Sequence, residues 1–93
     1  MFVHPSILNP LPGKEGLLID SMHRFGEADG AIPGLREVHT VRDRRTGTLV
    51  GLAIWESEEA FEAGVPRMRA AVDGDDLLAW ERGVPEAYVL EPV

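Results

Sequence analysis

The chain is 93 residues long, with a formal net charge of −7, 44% hydrophobic residues and no cysteine. Its length allows a single domain over residues 1–93, and its negative charge argues against nucleic acid as a partner, because that binding depends on basic side chains that neutralise phosphates. The absence of cysteine excludes disulfides and thiolate chemistry, and the lack of a signal peptide or of ~18 consecutive apolar residues indicates a cytoplasmic protein with no membrane partner.

The N-terminal third of the chain predicts a strand followed by a helix. Residues 2–8 form the strand, which Pro5 should restrict to a sheet edge or to irregular pairing, because proline cannot donate to the ladder. The helix is predicted from Glu15 to about Asp29, with the carboxylate of Glu15 placed favourably in its first turn. Its buried face is expected to carry three apolar residues at helical spacing, Leu18, Met22 and Phe25.

The middle of the chain predicts a β-hairpin. Residues 35–43 and 48–55 have the composition of strands, and the turn RRTG between them should hold Gly47 at positive φ. Both faces of the second strand are apolar, with Val50, Leu52 and Ile54 on one and Leu49, Gly51, Ala53 and Trp55 on the other. Because one layer of helices covers a single face, a second copy of the sheet is expected on the other face.

The last third predicts two helical segments and a final strand. Ser57 is a suitable N-cap for a helix whose apolar stripe contains Phe61, Val65, Met68 and Val72. Pro66 lies inside that stripe and predicts a kink or break near Gly64, because it removes a backbone donor. A short helix around residues 75–80 and a strand at residues 86–91 complete the chain.

These elements predict an α+β fold with the order β-α-β-β-α-β and a small extra helix before the last strand. That order is the ferredoxin-like split βαβ arrangement with an antiparallel sheet. Its apolar outer face predicts that two copies pair face to face into a dimeric α/β barrel.

Three local stretches carry a resemblance to a known family: IPGL before the second strand, TGTLVGLAIW as the third strand, and WESEEAF leading into the second helix. With the order of elements, they resemble the antibiotic biosynthesis monooxygenase domain of the dimeric α/β-barrel superfamily. The resemblance implies a homodimer with a pocket in each subunit between helices and sheet. It also implies cofactor-free oxidation of phenolic or quinol-type substrates by dioxygen, or haem degradation, or no reaction.

Individual residues separate these activities. Haem-degrading members of the family use a tryptophan at the position of Trp55 and a histidine on the second helix as iron ligand. Here the segment EAGVPRMRAAV after Phe61 contains no histidine, which disfavours haem degradation because the iron would lack an axial ligand. Two positions that are polar in the quinone-forming oxygenases are occupied by Gly51 and Phe61.

Several side chains are candidates for a site. Trp55 has two interpretations, a core aromatic or a pocket wall that stacks on an aromatic ligand. His39 and His23 are the candidate catalytic bases, because an imidazole titrates near neutral pH, and His4 is given less weight because it lies near the terminus. The candidate substrate-binding residues are Trp55, Phe61, Met22 and Met68. No pair of histidines has the spacing of a metal motif, and we expect neither a metal nor a cofactor.

Two functions remain open from the sequence. The first is a small homodimeric monooxygenase-like enzyme that oxidises an aromatic or phenolic molecule without a cofactor. The second is a non-catalytic dimeric module of the same fold that binds a hydrophobic ligand, which the apolar residues at positions 51 and 61 favour.

Overall fold

A computed structural model describes residues 1–27 and 32–93. Its elements are β1 (Phe2–Leu8), α1 (Glu15–Gly26), β2 (Leu35–Arg42), β3 (Leu49–Trp55), α2 (Glu58–Ala70), α3 (Leu77–Trp80) and β4 (Glu86–Ala87). The predicted β-α-β-β-α-β order with an extra helix before the last strand is confirmed. The helix α1 ends at Gly26, and its predicted end near Asp29 lies outside the described residues.

The four strands form one antiparallel sheet in the order β2-β3-β1-β4. The hairpin between β2 and β3 closes through the backbone N–H of Asp43, which donates to the carbonyl of Thr48 at 2.8 Å. Gly47 has a φ of 80°, so the predicted positive φ in this turn is confirmed. This order places β1 and β3, each of which pairs with a strand on both sides, at the centre of the sheet.

Pro5 lies in an interior strand, so the prediction of an edge strand was wrong, while the alternative of irregular pairing is what occurs. Towards β4, Val3 exchanges two backbone hydrogen bonds with Leu90, at 2.9 and 2.7 Å. Pro5 accepts from the N–H of Tyr88 at 3.0 Å but has no N–H to return. The regular pairing of β1 with β4 is therefore confined to Ser6 with Ala87 and Ile7 with Glu86.

Helix α2 is continuous from Glu58 to Ala70, so the predicted break at Pro66 was wrong. The carbonyl left without a donor by Pro66 belongs to Glu62, an exposed residue, and water can satisfy it. The N-cap prediction is confirmed, since the hydroxyl of Ser57 accepts from the backbone N–H of Ala60 at 3.2 Å. Among the described residues, no helix combines the length and the apolar character needed to cross a membrane.

The two faces of the sheet differ in burial. On the helix side, Phe2, Leu8, Leu49, Ala53 and Trp55 are all buried. The apolar residues that alternate with them face away from the helices and are only half-buried: Val3, Pro5, Ile7, Val50, Leu52 and Ile54. The core thus lies between the sheet and its helices, and the opposite face carries a half-exposed apolar surface.

Candidate functional site

Trp55 lies in the core of the protein. Its side chain is fully buried and meets Phe61 edge to face, with the ring centroids 6.0 Å apart. Its six-membered ring lies against Gly64, where an added Cβ would be 2.4 Å from the Cη2 atom of Trp55. Among the described residues, the indole N–H has no hydrogen-bond partner. Trp55 therefore supports the packing of α2 on the sheet.

A cavity of about 290 Å³ lies between the sheet and the helices. Apolar residues from α1, β2, β3, α2 and the turn after α2 make up most of its wall: Met22, Phe25, Val38, Ala53, Met68 and Val72. Gly51 also borders it, and a Cβ there would approach the terminal methyl of Met22 to 3.2 Å. This size is at the small end of ligand pockets, which span about 300–1,000 Å³, and suits a ligand of one or two rings.

Polar groups on the wall of this cavity are few. They come from β1, α1, β2, α2 and β4: His4, Ser6, Ser21, His39, Thr40, Arg69 and Glu86. A mostly apolar wall with a small number of polar groups is typical of sites that orient a small organic ligand.

His4 is the titratable side chain most enclosed by this wall. Its residue is 9% exposed, and its ring meets Phe61 edge to face at a centroid distance of 5.0 Å. Burial lowers the pKa of His4 below its ordinary value of 6.5, and the positive charge of Arg69 lowers this pKa further. The imidazole is therefore neutral at neutral pH, and a neutral imidazole can accept a proton.

The two histidines favoured by the sequence occupy different places. His39 pairs with Leu52 in the sheet, which puts its side chain on the face away from the helices, where its Nε2 lies 3.2 Å from the Oε1 atom of Glu37. His23 is exposed on α1. Both residues border a second cavity of about 280 Å³ between α1 and β2. His39 also borders the cavity of about 290 Å³, whereas His23 does not.

The candidate substrate-binding residues are only partly brought together. Met22 and Met68 line the cavity of about 290 Å³. Phe61 packs behind His4, between that ring and Trp55, and neither Phe61 nor Trp55 is part of the lining formed by the described residues. Arg69, an exposed residue near the end of α2, borders this cavity as well.

Solved structures match this chain over nearly its whole length. Rv0793 from Mycobacterium tuberculosis matches with a TM-score of 0.79 at 17% identity, covering 99% of this chain and 94% of that chain. A candidate antibiotic biosynthesis monooxygenase from Nitrosomonas europaea matches with a TM-score of 0.76 at 11% identity, covering 100% and 99%. Another structure, of an antibiotic biosynthesis monooxygenase, matches with a TM-score of 0.78 at 14% identity, covering 100% and 99%.

No family model matches the sequence, and the search of curated proteins gives no match. At identities of 11 to 17% the structural matches establish the fold. That fold is the one shared by the antibiotic biosynthesis monooxygenase structures, as the resemblance in sequence predicts.

Proposed function

We propose that the chain is a cytoplasmic, cofactor-free monooxygenase-like enzyme that oxidises a small phenolic compound in the cavity between α1, α2 and the sheet. The observation that carries the proposal is the cavity itself. It is mostly apolar, has room for a ligand of one or two rings, and has the neutral imidazole of His4 on its wall. The shared fold with antibiotic biosynthesis monooxygenase structures supports the choice of reaction.

The chemistry requires a substrate that becomes a good electron donor on losing a proton. A phenol or enol that loses its O–H proton forms an anion whose charge is delocalised onto carbon. This anion passes one electron to dioxygen, the two radicals join in a carbon–oxygen bond, and the proton returns to the peroxide oxygen to give a hydroperoxide. Loss of water from the resulting hydroperoxide leaves a carbonyl, so that CH₂ and O₂ become C=O and H₂O. The protein must hold the ring, accept the proton and exclude bulk water, and a positioned base contributes about 10²–10⁴-fold in rate.

A homodimer is part of the proposal. The half-exposed apolar face of the sheet, centred on Leu52 and Val50, has the composition of a surface that a second sheet covers. Light scattering should give twice the monomer mass of 10.2 kDa. Leu52→Asp should shift the mass to that of a monomer, whereas Leu78→Asp, at a side chain that is 85% exposed on α3, should not. A wild-type monomer at micromolar concentration would contradict the dimer.

The enzymatic proposal is tested by thermal shift and oxygen uptake with hydroquinone and anthrone as probes. We expect a saturable shift, oxygen uptake, and loss of both in Gly51→Val, which adds a side chain in the cavity. Trp55→Phe serves as the control. It should destabilise the core, but Trp55 is not among the described residues that line the cavity, so this variant should still bind the probes. Absence of binding by both probes and their close relatives would remove the enzymatic proposal.

A non-catalytic binding protein is the second candidate. The observation in its favour is that positions 51 and 61 hold Gly and Phe, so these two positions supply no polar group to hold a phenol. Saturable binding without oxygen uptake would support this alternative over the enzyme.

A further inference from the structure

The C-terminal segment, residues 81–93, is anchored by a buried carboxyl group. Between residue 71 and residue 93, Glu81 is the one residue that is buried, with 5% of its surface exposed. Its Oε1 atom is enclosed and has no hydrogen-bond partner among the described residues. The function proposed above does not use this side chain, because Glu81 is not among the described residues that line the cavity.

The backbone on both sides of Glu81 is fastened to the chain that follows β1. The N–H of Leu11 donates to the carbonyl of Trp80 at 2.9 Å, and the N–H of Arg82 donates to the carbonyl of Asn9 at 2.7 Å. Every residue after Glu81 is exposed, and the segment meets β1 through the short β4 and one further bridge. The deepest contact of the C-terminal segment is thus made by an ionisable side chain.

We infer that Glu81 is a pH-sensitive latch: its neutral carboxyl group keeps the C-terminal segment docked, and its ionisation releases that segment while β1 and β3 stay paired. A carboxylate that is buried without a partner is costly, whereas the same carboxylate is hydrated once the segment has moved away. The inference goes beyond the proposed function, because the state of the latch depends on pH and not on a ligand.

The pH range of the latch follows from the effect of burial. Burial raises the pKa of Glu81 above its ordinary value of 4.5. The contribution of Glu81 to docking is therefore fully present below pH 4.5, and it is lost as the pH rises through the raised pKa. The segment is held most firmly in acid and least firmly in alkaline solution.

No charged group offsets the burial of this carboxyl, since burial is the cause that acts on its pKa. Residues 9–11, which bridge to Glu81, contain no ionisable side chain. The ionisable groups on α1 and next to the ends of α3 are Glu15, Asp20, His23, Arg24, Asp76 and Arg82. Each of them is paired with another side chain, caps α3 or is exposed. A carboxylate at position 81 thus gains no cation in the docked state.

The experiment is hydrogen–deuterium exchange of the whole chain, measured by mass spectrometry at pH 4.5 and at about pH 8. The quantity compared is the protection factor, the intrinsic exchange rate divided by the measured rate, so that the direct effect of pH on exchange cancels. For residues 83–93 it should fall by up to about tenfold for each pH unit between 4.5 and the raised pKa. For residues 49–55 it should be at least about tenfold higher at each pH, because the segment opens without separating the central strands.

Three variants identify the group responsible. Glu81→Gln should remove the pH dependence of residues 83–93, because the amide does not ionise. Glu81→Leu should remove it as well, which provides a second reference if the buried amide weakens folding. Glu91→Gln removes a carboxylate from an exposed residue of the same segment and should behave as the wild type does. Circular dichroism verifies that each variant is folded.

Three results would overturn the latch. The first is a wild-type protection factor for residues 83–93 that is the same at both pH values. The second is equal protection of residues 83–93 and 49–55, because the segment would then exchange only when the whole domain unfolds. The third is an undiminished pH dependence in both Glu81→Gln and Glu81→Leu. None of these results bears on the proposed oxidation, since exchange is measured without hydroquinone or anthrone.

Discussion

Replacement of Gly64 by alanine tests whether α2 is held against the indole of Trp55 by close contact. A Cβ at position 64 would lie 2.4 and 2.5 Å from the Cη2 and Cζ3 atoms of Trp55 and 2.8 Å from the Cγ2 atom of Ile32. These distances are shorter than van der Waals contact, and the indole is fully buried in the core, where close packing leaves little room for it to move. Either the helix or the ring must shift.

Two effects of opposite sign determine the stability of Gly64→Ala. Alanine is favoured over glycine in a helix interior by about 0.8–1.0 kcal/mol. Overpacking of a well-packed core costs about 1–3 kcal/mol, and three heavy atoms below 3.0 Å place this site in the upper part of that range. The net result is a destabilisation of about 1–2 kcal/mol, or a decrease in Tm of roughly 5–15 °C for a domain of this size.

The measurement is urea unfolding followed by far-ultraviolet circular dichroism, with Gly16→Ala as the matched control. Gly16 is also helical, but a Cβ there would meet nothing within 4 Å, so the same substitution should stabilise by about 0.4–1 kcal/mol. If Gly64→Ala were as stable as Gly16→Ala, the close packing of α2 on Trp55 would be refuted.

A double mutant checks the identity of the contact. Trp55→Phe alone removes buried ring atoms and should cost about 1–3 kcal/mol by leaving a cavity, with no hydrogen bond lost because the indole N–H has no partner among the described residues. The space that it opens is where the alanine methyl would lie, so the double mutant should be more stable than the sum of the single changes predicts. Additive effects would show that the clash lies elsewhere.

Other variants test the capping and the buried titratable groups. Ser57→Ala should destabilise the protein by about 1 kcal/mol, whereas Ser57→Asp should preserve stability; equal loss in both would exclude a capping role. Burial raises the pKa of Glu81 above its ordinary 4.5, so its contribution to stability is lost as pH rises through the raised value. Glu81→Gln should therefore raise Tm at neutral pH but not below pH 4.5. The control Glu62→Gln, at an exposed residue, should not raise Tm at neutral pH. The pKa of His4 is lowered, so its effect on stability has the opposite pH dependence: stability should fall as pH decreases below 6.5. His4→Gln should reduce that dependence in a series of Tm measurements.

The fold follows from local signals that act within a few residues. Ser57 before two glutamates predicts a helix start, and Gly47 in a short turn predicts the hairpin, because each residue satisfies a specific backbone requirement. The predicted break at Pro66 does not occur because the carbonyl of Glu62, which loses its backbone donor, belongs to an exposed residue that water can reach. The packing of α2 against Trp55 also favours a continuous helix.

The site was harder to predict because it depends on which face of β1 points at the helices. The strand reads FVHPSIL, and its more apolar set, Val3, Pro5 and Ile7, faces away from the helices in the structure. Alternation alone would have placed the polar side chains outside, whereas His4 and Ser6 face the cavity. The strand departs from the usual pattern because one face borders a partly polar cavity and the other is an apolar surface.

The missing N–H of Pro5 also sets how firmly the last strand is held. Between the Val3–Leu90 bridge and the short β4, the N–H of Tyr88 is the one backbone donor that the described residues place across the seam between β1 and the C-terminal segment. Local opening of this seam costs less free energy than separation of β1 from β3, so its amides should exchange with solvent deuterium well before those of the central strands. Since Glu86 and Ala87 form part of the cavity wall, we expect the same opening to widen the cavity while the core around Trp55 stays closed.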